Sequence, residues 1–234
     1  MTTWKSIREK EGAVAPAQIT LSDLIAINSF DTGDRVFPTD SWLAYSALIR
    51  TRMRLASDQT VRDIGCGSGA FLHPLVGKET AVCRIVFSVP YIEVCSTAMT
   101  SGTVKHAEAT DVPFEDDCFD GVVSNSVFRY FPDFGYAEQV IGEISRGIRS
   151  DGCVAILDGC DAALEANCEA TRRAGICDEG YDRFCGELNH LFYPKEWFER
   201  IAADCGRKPE IIDQAFDGYE NAAHKYNVLL DSGG

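Results

Sequence analysis

The chain has 234 residues, 45% hydrophobic and 25% charged, which fits one ordinary globular domain or two small ones and excludes collagen, coiled coil and wholesale disorder. Its 22 basic and 36 acidic side chains leave a net charge of −14, which repels polyphosphate and anionic lipid, so neither nucleic acid nor a membrane surface is expected as a partner. With no apolar run of bilayer length and no signal-peptide block near Met1, the expectation is a cytoplasmic protein.

Residues 1–57 carry short helical patterns broken by Pro16, Gly33 and Pro38. Trp42, Tyr45, Leu48, Ile49 and Met53 mark one helical face. No segment here can close its own core, so the stretch reads as a helical cap on a second unit, residues 58–234. From Thr60 the texture changes to apolar runs at 61–64, 81–86, 104–107, 119–124 and 153–157 separated by helix-length segments. That alternation predicts a parallel sheet covered on both faces, a doubly wound α/β core with helices near 69–78, 91–101 and 135–149.

An acidic, cysteine-bearing stretch with weak periodicity follows, and residues 159–193 read as a lid insertion. Cys160/Cys168 and Cys177/Cys185 are each spaced by eight, but no histidine lies within a few residues of them, so they read as surface or core thiols and no metal site is expected. Pro194 opens a helix that ends near Gly206, and the runs 210–216 and 225–230 are close enough in sequence to pair antiparallel.

The segment Val61-Arg-Asp-Ile-Gly-Cys-Gly-Ser-Gly sets glycines at 65, 67 and 69 between the first strand and the first helix expected after it. Glycine permits a sharp turn and lets a ligand approach the main chain, while amides at a helix start would supply donors. The spacing differs from the dinucleotide fingerprint and from the P-loop, because no Lys-Ser/Thr follows. This segment resembles the first motif of the class I methyltransferases that use S-adenosylmethionine. Three further segments resemble that family in the same order: Glu108-Ala-Thr-Asp-Val-Pro-Phe, Phe119-Asp-Gly-Val-Val-Ser-Asn-Ser-Val and Glu143-Ile-Ser-Arg-Gly-Ile-Arg-Ser-Asp-Gly.

The resemblance implies a Rossmann-like seven-stranded sheet, order 3-2-1-4-5-7-6 with strand 7 antiparallel. It implies S-adenosyl-L-methionine as cofactor and S-adenosyl-L-homocysteine as product. Gly65, Cys66, Gly67 and Gly69 would face the methionine part, and Asp63 would lie near its amino group or would tie down the loop. Glu108 and Ala109 would meet the adenine, and Asn125 and Ser126 would flank the transferred group. The family's acidic ribose ligand falls on Val86, or on Ser88 after a two-residue slide, and neither is a carboxylate; Glu93 or a residue of the cap would have to replace it. Arg62 and Arg84 stand where an apolar residue and a glycine are usual.

Methyl transfer from a sulfonium requires alignment more than covalent help, with a base where the acceptor is protonated. The candidate bases are His73, Asp158 or Asp161, and His190, while His106 and His224 at strand ends read as structural. Arg129 would clamp a substrate carboxylate or phosphate, or else form a surface ion pair with Asp133 or Glu138. Trp42, Tyr45, Tyr181 and Tyr193 would roof the pocket or fill the core. The expectation is a methyltransferase for a small metabolite or natural product, monomeric or homodimeric. The alternative is the same fold turned to cyclase or isomerase chemistry, or to binding alone.

Overall fold

The computed structural model describes residues 19–28, 37–75, 81–98, 102–175, 190–216 and 218–232. Its elements in chain order are α1 (Leu21–Ile27), α2 (Thr39–Arg52), β1 (Thr60–Ile64), β2 (Ala81–Val86), α3 (Val89–Ala98), β3 (Thr103–His106), β4 (Phe119–Asn125), α4 (Phe134–Gly147), β5 (Ile148–Cys160), α5 (Glu165–Gly175), α6 (Lys195–Asp204), β6 (Arg207–Asp213) and β7 (Lys225–Ser232). The strands form one sheet in the order β3-β2-β1-β4-β5-β7-β6. β1 to β5 pair in parallel, and β7 runs antiparallel to both of its neighbours. The expected topology is therefore the observed one.

Two apolar layers flank the sheet. On one face Val61, Val82, Val123, Ala155, Leu157 and Leu229 pack with Leu24 and Ile25 of α1 and with Trp42, Tyr45 and Ile49 of α2. On the other, Ile64, Val122, Val154, Ile156 and Val228 meet α4 and α6. Burial on both faces explains why the central strands are apolar runs rather than alternating ones. The spacing of Ala137, Val140, Ile141 and Ile144 puts all four on the buried side of α4, which the Asp133 carboxylate caps by accepting from Tyr136 N–H at 2.8 Å. Thr20 and Asp23 close a capping box on α1.

The helix expected at 69–78 is not formed in its described part. Residues 65–75 make turns, because Gly65, Gly67 and Gly69 all take positive φ (71°, 52° and 85°) and Pro74 supplies no amide hydrogen. β5 is longer than its apolar run, and β6 begins three residues before the expected start. Within the expected lid, 159–160 complete β5 and 165–175 form α5, while 176–189, with Tyr181, Cys177 and Cys185, lie outside the described residues.

Candidate active site at the carboxyl ends of the central strands

The glycine loop leaves β1 and turns back on β2: Gly65 N–H and Cys66 N–H both donate to the Ile85 carbonyl, at 2.9 and 3.1 Å, and Gly69 N–H donates to the Cys66 carbonyl at 2.8 Å. Two of the glycines meet the protein's own side chains. A Cβ on Gly67 would lie 2.5 Å from Asn28 Oδ1, and one on Gly65 would lie 2.5 Å from Val127 Cγ2. The bare main chain expected to face a ligand thus also serves packing at these two positions.

Just before the loop, Asp63 is fully buried beside Arg84, its register partner on β2. Burial raises its pKa, the Arg84 guanidinium partly offsets this, and the carboxyl settles at about 7. Its Oδ2 has no hydrogen-bond partner among the described residues. The Cys66 thiol shares a hydrogen bond with Cys95 of α3, and that bond together with burial pushes its pKa up. At the ribose position Val86 is buried with Cys66, Tyr91 and Cys95, with Ile27 of the cap packed against them. Ser88 is buried, its carbonyl accepting from Tyr91 N–H, and Glu93 is exposed on α3. Glu108 accepts a 2.8 Å hydrogen bond from the Tyr136 hydroxyl, Ala109 is half-buried beside it in sequence, and Asn125 ends β4 opposite Leu157.

Across the sheet, the ends of β4, β5 and β7 bring charges together that are far apart in sequence. Asp158 sits at a break in the β5–β7 register with φ 62° and is 3% exposed. Its Oδ2 lies 3.0 Å from Arg129 Nη1 and its Oδ1 3.1 Å from Lys225 Nζ, both side chains 1% exposed. Ser126 Oγ donates to Oδ2 at 2.6 Å, and Lys225 Nζ also donates to the Tyr219 hydroxyl. The Asp158 amide donates to Asn227 Oδ1 at 3.0 Å, and the same oxygen accepts from Tyr45 OH at 2.8 Å. Burial alone would raise the Asp158 pKa; Lys225, Arg129 and the Ser126 hydroxyl outweigh it and hold the carboxyl below its ordinary value.

Of the four expected catalytic residues, three lie on this side. Arg129 and Asp158 are paired, and His190 is buried with its ring 5.3 Å from that of Tyr130, next to Leu191, whose amide donates to the Arg129 carbonyl. The surface ion pair expected for Arg129 is not formed: Asp133 caps α4 and Glu138 pairs with Arg200. Half-buried His73 is elsewhere, in the turn after the glycine loop, where burial and then Arg84 lower its pKa. Asp161 caps the turn 162–164 and approaches Lys195 at 3.5 Å. His224 contacts Thr171 Oγ1, and exposed His106 lies against Phe87.

Trp42 and Tyr45 fill the core with Phe37, Phe71 and Phe216, and Tyr193, expected to roof the pocket or to fill the core, is buried in the core of the opposite face with its hydroxyl on the Phe128 carbonyl. Cys160 and Cys168 pack together with Phe192. Among the described residues no cluster of three or more potential metal ligands occurs, and no helix is long and apolar enough to cross a membrane. Lys225, Tyr219, Asn227 and Asn28 escaped the sequence reading; the signal available was a lysine and an asparagine inside the otherwise apolar run that becomes β7.

Residues 62–156 match the family described as Methyltransferase domain. This stretch holds the glycine loop and the later segments that resemble the class I S-adenosylmethionine-dependent methyltransferases. The chain is 31% identical over 119 residues to demethylmenaquinone methyltransferase of Staphylococcus aureus, a match covering 46% of the chain and 48% of that protein. It is 22% identical over 223 residues to the nonribosomal peptide synthetase CymA of Salinispora arenicola, covering 91% of the chain and 3% of that protein. The chain thus spans about half or far less of the length of these curated relatives. Similar folds include PH0226 protein from Pyrococcus horikoshii OT3 (TM-score 0.63, 17% identity, 88% of this chain and 97% of that one). Another is geranyl diphosphate C-methyltransferase from Streptomyces coelicolor A3(2), solved with S-adenosyl-L-homocysteine (TM-score 0.61, 13% identity, 81% and 78% covered).

Proposed function

We propose that this protein transfers the methyl group of S-adenosylmethionine to a small-molecule acceptor. The observation that carries the cofactor reading is Asp63, a fully buried carboxyl at the mouth of the glycine loop whose Oδ2 has no partner among the described residues. A buried acceptor left without a donor is costly unless a ligand supplies one, and the cofactor's ammonium would. Gly65, Cys66, Gly67 and Gly69 would hold the methionine end, Ser88 the ribose, Glu108 and Ala109 the adenine, and Asn125 and Ser126 would flank the reacting centre. The bound sulfonium supplies an electrophilic methyl group.

The chain's own residues do the rest. Asp158, held ionised by its cationic neighbours, orients Arg129, Lys225, Tyr219 and Ser126 at the acceptor end instead of shuttling a proton. His190, on the same side, takes the acceptor's proton, and His73 has a structural role beside Arg84. The acceptor is a small metabolite or natural product rather than a polymer, a reading supported by the net charge of −14, which argues against nucleic acid. The protein works in the cytoplasm as a monomer or homodimer.

Calorimetric titration with S-adenosylmethionine and with S-adenosyl-L-homocysteine tests this reading: micromolar binding of both, each competing with the other, is expected, and no heat from either overturns it. A second reading, the fold turned to other chemistry or to binding alone, draws on the apolar cluster at Val86 and on the side chains set over Gly65 and Gly67. Binding of both ligands without transfer to any acceptor would favour it.

A further inference from the structure

The end of α1 is fastened to the cofactor loop rather than resting on it. Asn28 Oδ1 accepts from the Ser68 amide at 2.8 Å, and Ser68 Oγ donates to the Leu24 carbonyl at 2.7 Å. The Tyr91 hydroxyl of α3 donates to the Ile27 carbonyl at 3.0 Å. Gly67 is bare at the point where Asn28 comes down, since any Cβ there would collide with Oδ1. Ile27 packs on the cluster of Cys66, Val86, Tyr91 and Cys95, so the cap reaches the strand end at which the polar ribose contact is missing.

We infer that Asn28 is a positioning residue of the cofactor site. Its carboxamide, with the Tyr91 hydroxyl, latches the cap over the glycine loop, and the latch supplies retention of the nucleoside that a strand-end carboxylate would otherwise give. The inference rests on the cofactor reading above. Ligand enters while α1 is lifted, and closure of three hydrogen bonds and one apolar contact slows its escape; the latch therefore acts on dissociation more than on association.

The test uses the full chain, S-adenosyl-L-homocysteine as probe, and the variants Asn28→Ala and Tyr91→Phe. Each is expected to raise Kd about tenfold, mostly through a faster dissociation rate in stopped-flow displacement. Hydrogen exchange of residues 19–28 should quicken in both variants and slow again on adding the probe. Should Asn28→Ala fail to fold, Tyr91→Phe, which keeps the packed ring, carries the test. If the wild type binds and both folded variants bind within about twofold of it, the latch is refuted while the cofactor reading stands. Tighter binding by Asn28→Ala also refutes it, because the side chain would then be an obstacle. No binding by the wild type removes the cofactor reading and the latch together.

Discussion

Ser126 and Asp158, both in the left-handed region at φ 59° and 62°, face each other across the ends of β4 and β5, joined by a hydrogen bond of 2.6 Å from the hydroxyl to Oδ2. Two non-glycine residues in this conformation cost on the order of 1 to 3 kcal/mol each and persist only where their surroundings fix them. Here Asn227 holds the Asp158 amide and Arg129 and Lys225 hold its carboxylate. Asp158→Asn leaves two buried cations facing a neutral group, and the expected loss is about 3 to 5 kcal/mol of unfolding free energy, read from urea titration at pH 7.

The same carboxyl sets an acid limit. Its folded pKa is depressed, so its contribution is complete above the unfolded value of about 4 and is lost as pH falls through the lower folded value. The urea midpoint of the wild type should therefore fall below about pH 4, and the corresponding slope should be shallower in Asp158→Asn.

Asp63 has the opposite sign. With its folded pKa raised to about 7, folding favours the protonated form, so its contribution is complete below about pH 4 and is lost as pH rises through about 7. Asp63→Asn is expected to be more stable than the wild type at pH 8, on the order of 2 kcal/mol, yet to bind S-adenosyl-L-homocysteine more weakly. Affinity of the wild type should rise between pH 6 and pH 8 and that of the variant should stay flat, as measured by calorimetry. A variant that is both more stable and equally tight would remove Asp63 from the site.

Arg62 offers a stability test away from the chemistry. Its guanidinium is buried over the Phe119 ring at 4.5 Å, none of its side-chain nitrogens has a hydrogen-bond partner among the described residues, and burial lowers its pKa to about 10. Arg62→Met removes a desolvated charge while keeping a flexible chain in the space, and a gain of about 1 to 2 kcal/mol in unfolding free energy is expected, with cofactor affinity unchanged.

Gly67→Ala combines two penalties, a left-handed backbone at φ 52° and a methyl group 2.5 Å from Asn28 Oδ1. The expected cost is about 1 to 2 kcal/mol from the backbone alone, with faster hydrogen exchange in residues 19–28 as the cap is pushed away. Unchanged exchange there would mean that the cap does not bear on Gly67.

The sheet was legible because strands buried on both faces must be apolar, and the runs at 61–64, 81–86 and 119–124 stand out for that reason. The turns at 65–75 were not, since the sequence beyond Gly69 carries helix-length apolar spacing while the backbone geometry is set by three alternate positive-φ glycines. The loop after β1 was legible through its glycines. Asp158 was legible as a candidate, whereas Lys225 and Asn227 were not: the contacts that reveal them cross 67 and 69 residues of sequence and depend on the antiparallel entry of β7 between β5 and β6. Asn28 was hidden for the same reason, 40 residues from the amide it meets.

The turns that replace a helix after Gly69 have an electrostatic consequence. A helix N-terminus would point roughly half a positive charge at the loop. A sulfonium is itself cationic, so such a field would disfavour the methyl donor relative to its neutral thioether product. With 65–75 folded as turns, that bias is absent, and on the proposed reading the buried Asp63 carboxylate favours the charged donor, so a lower Kd for S-adenosylmethionine than for S-adenosyl-L-homocysteine is expected.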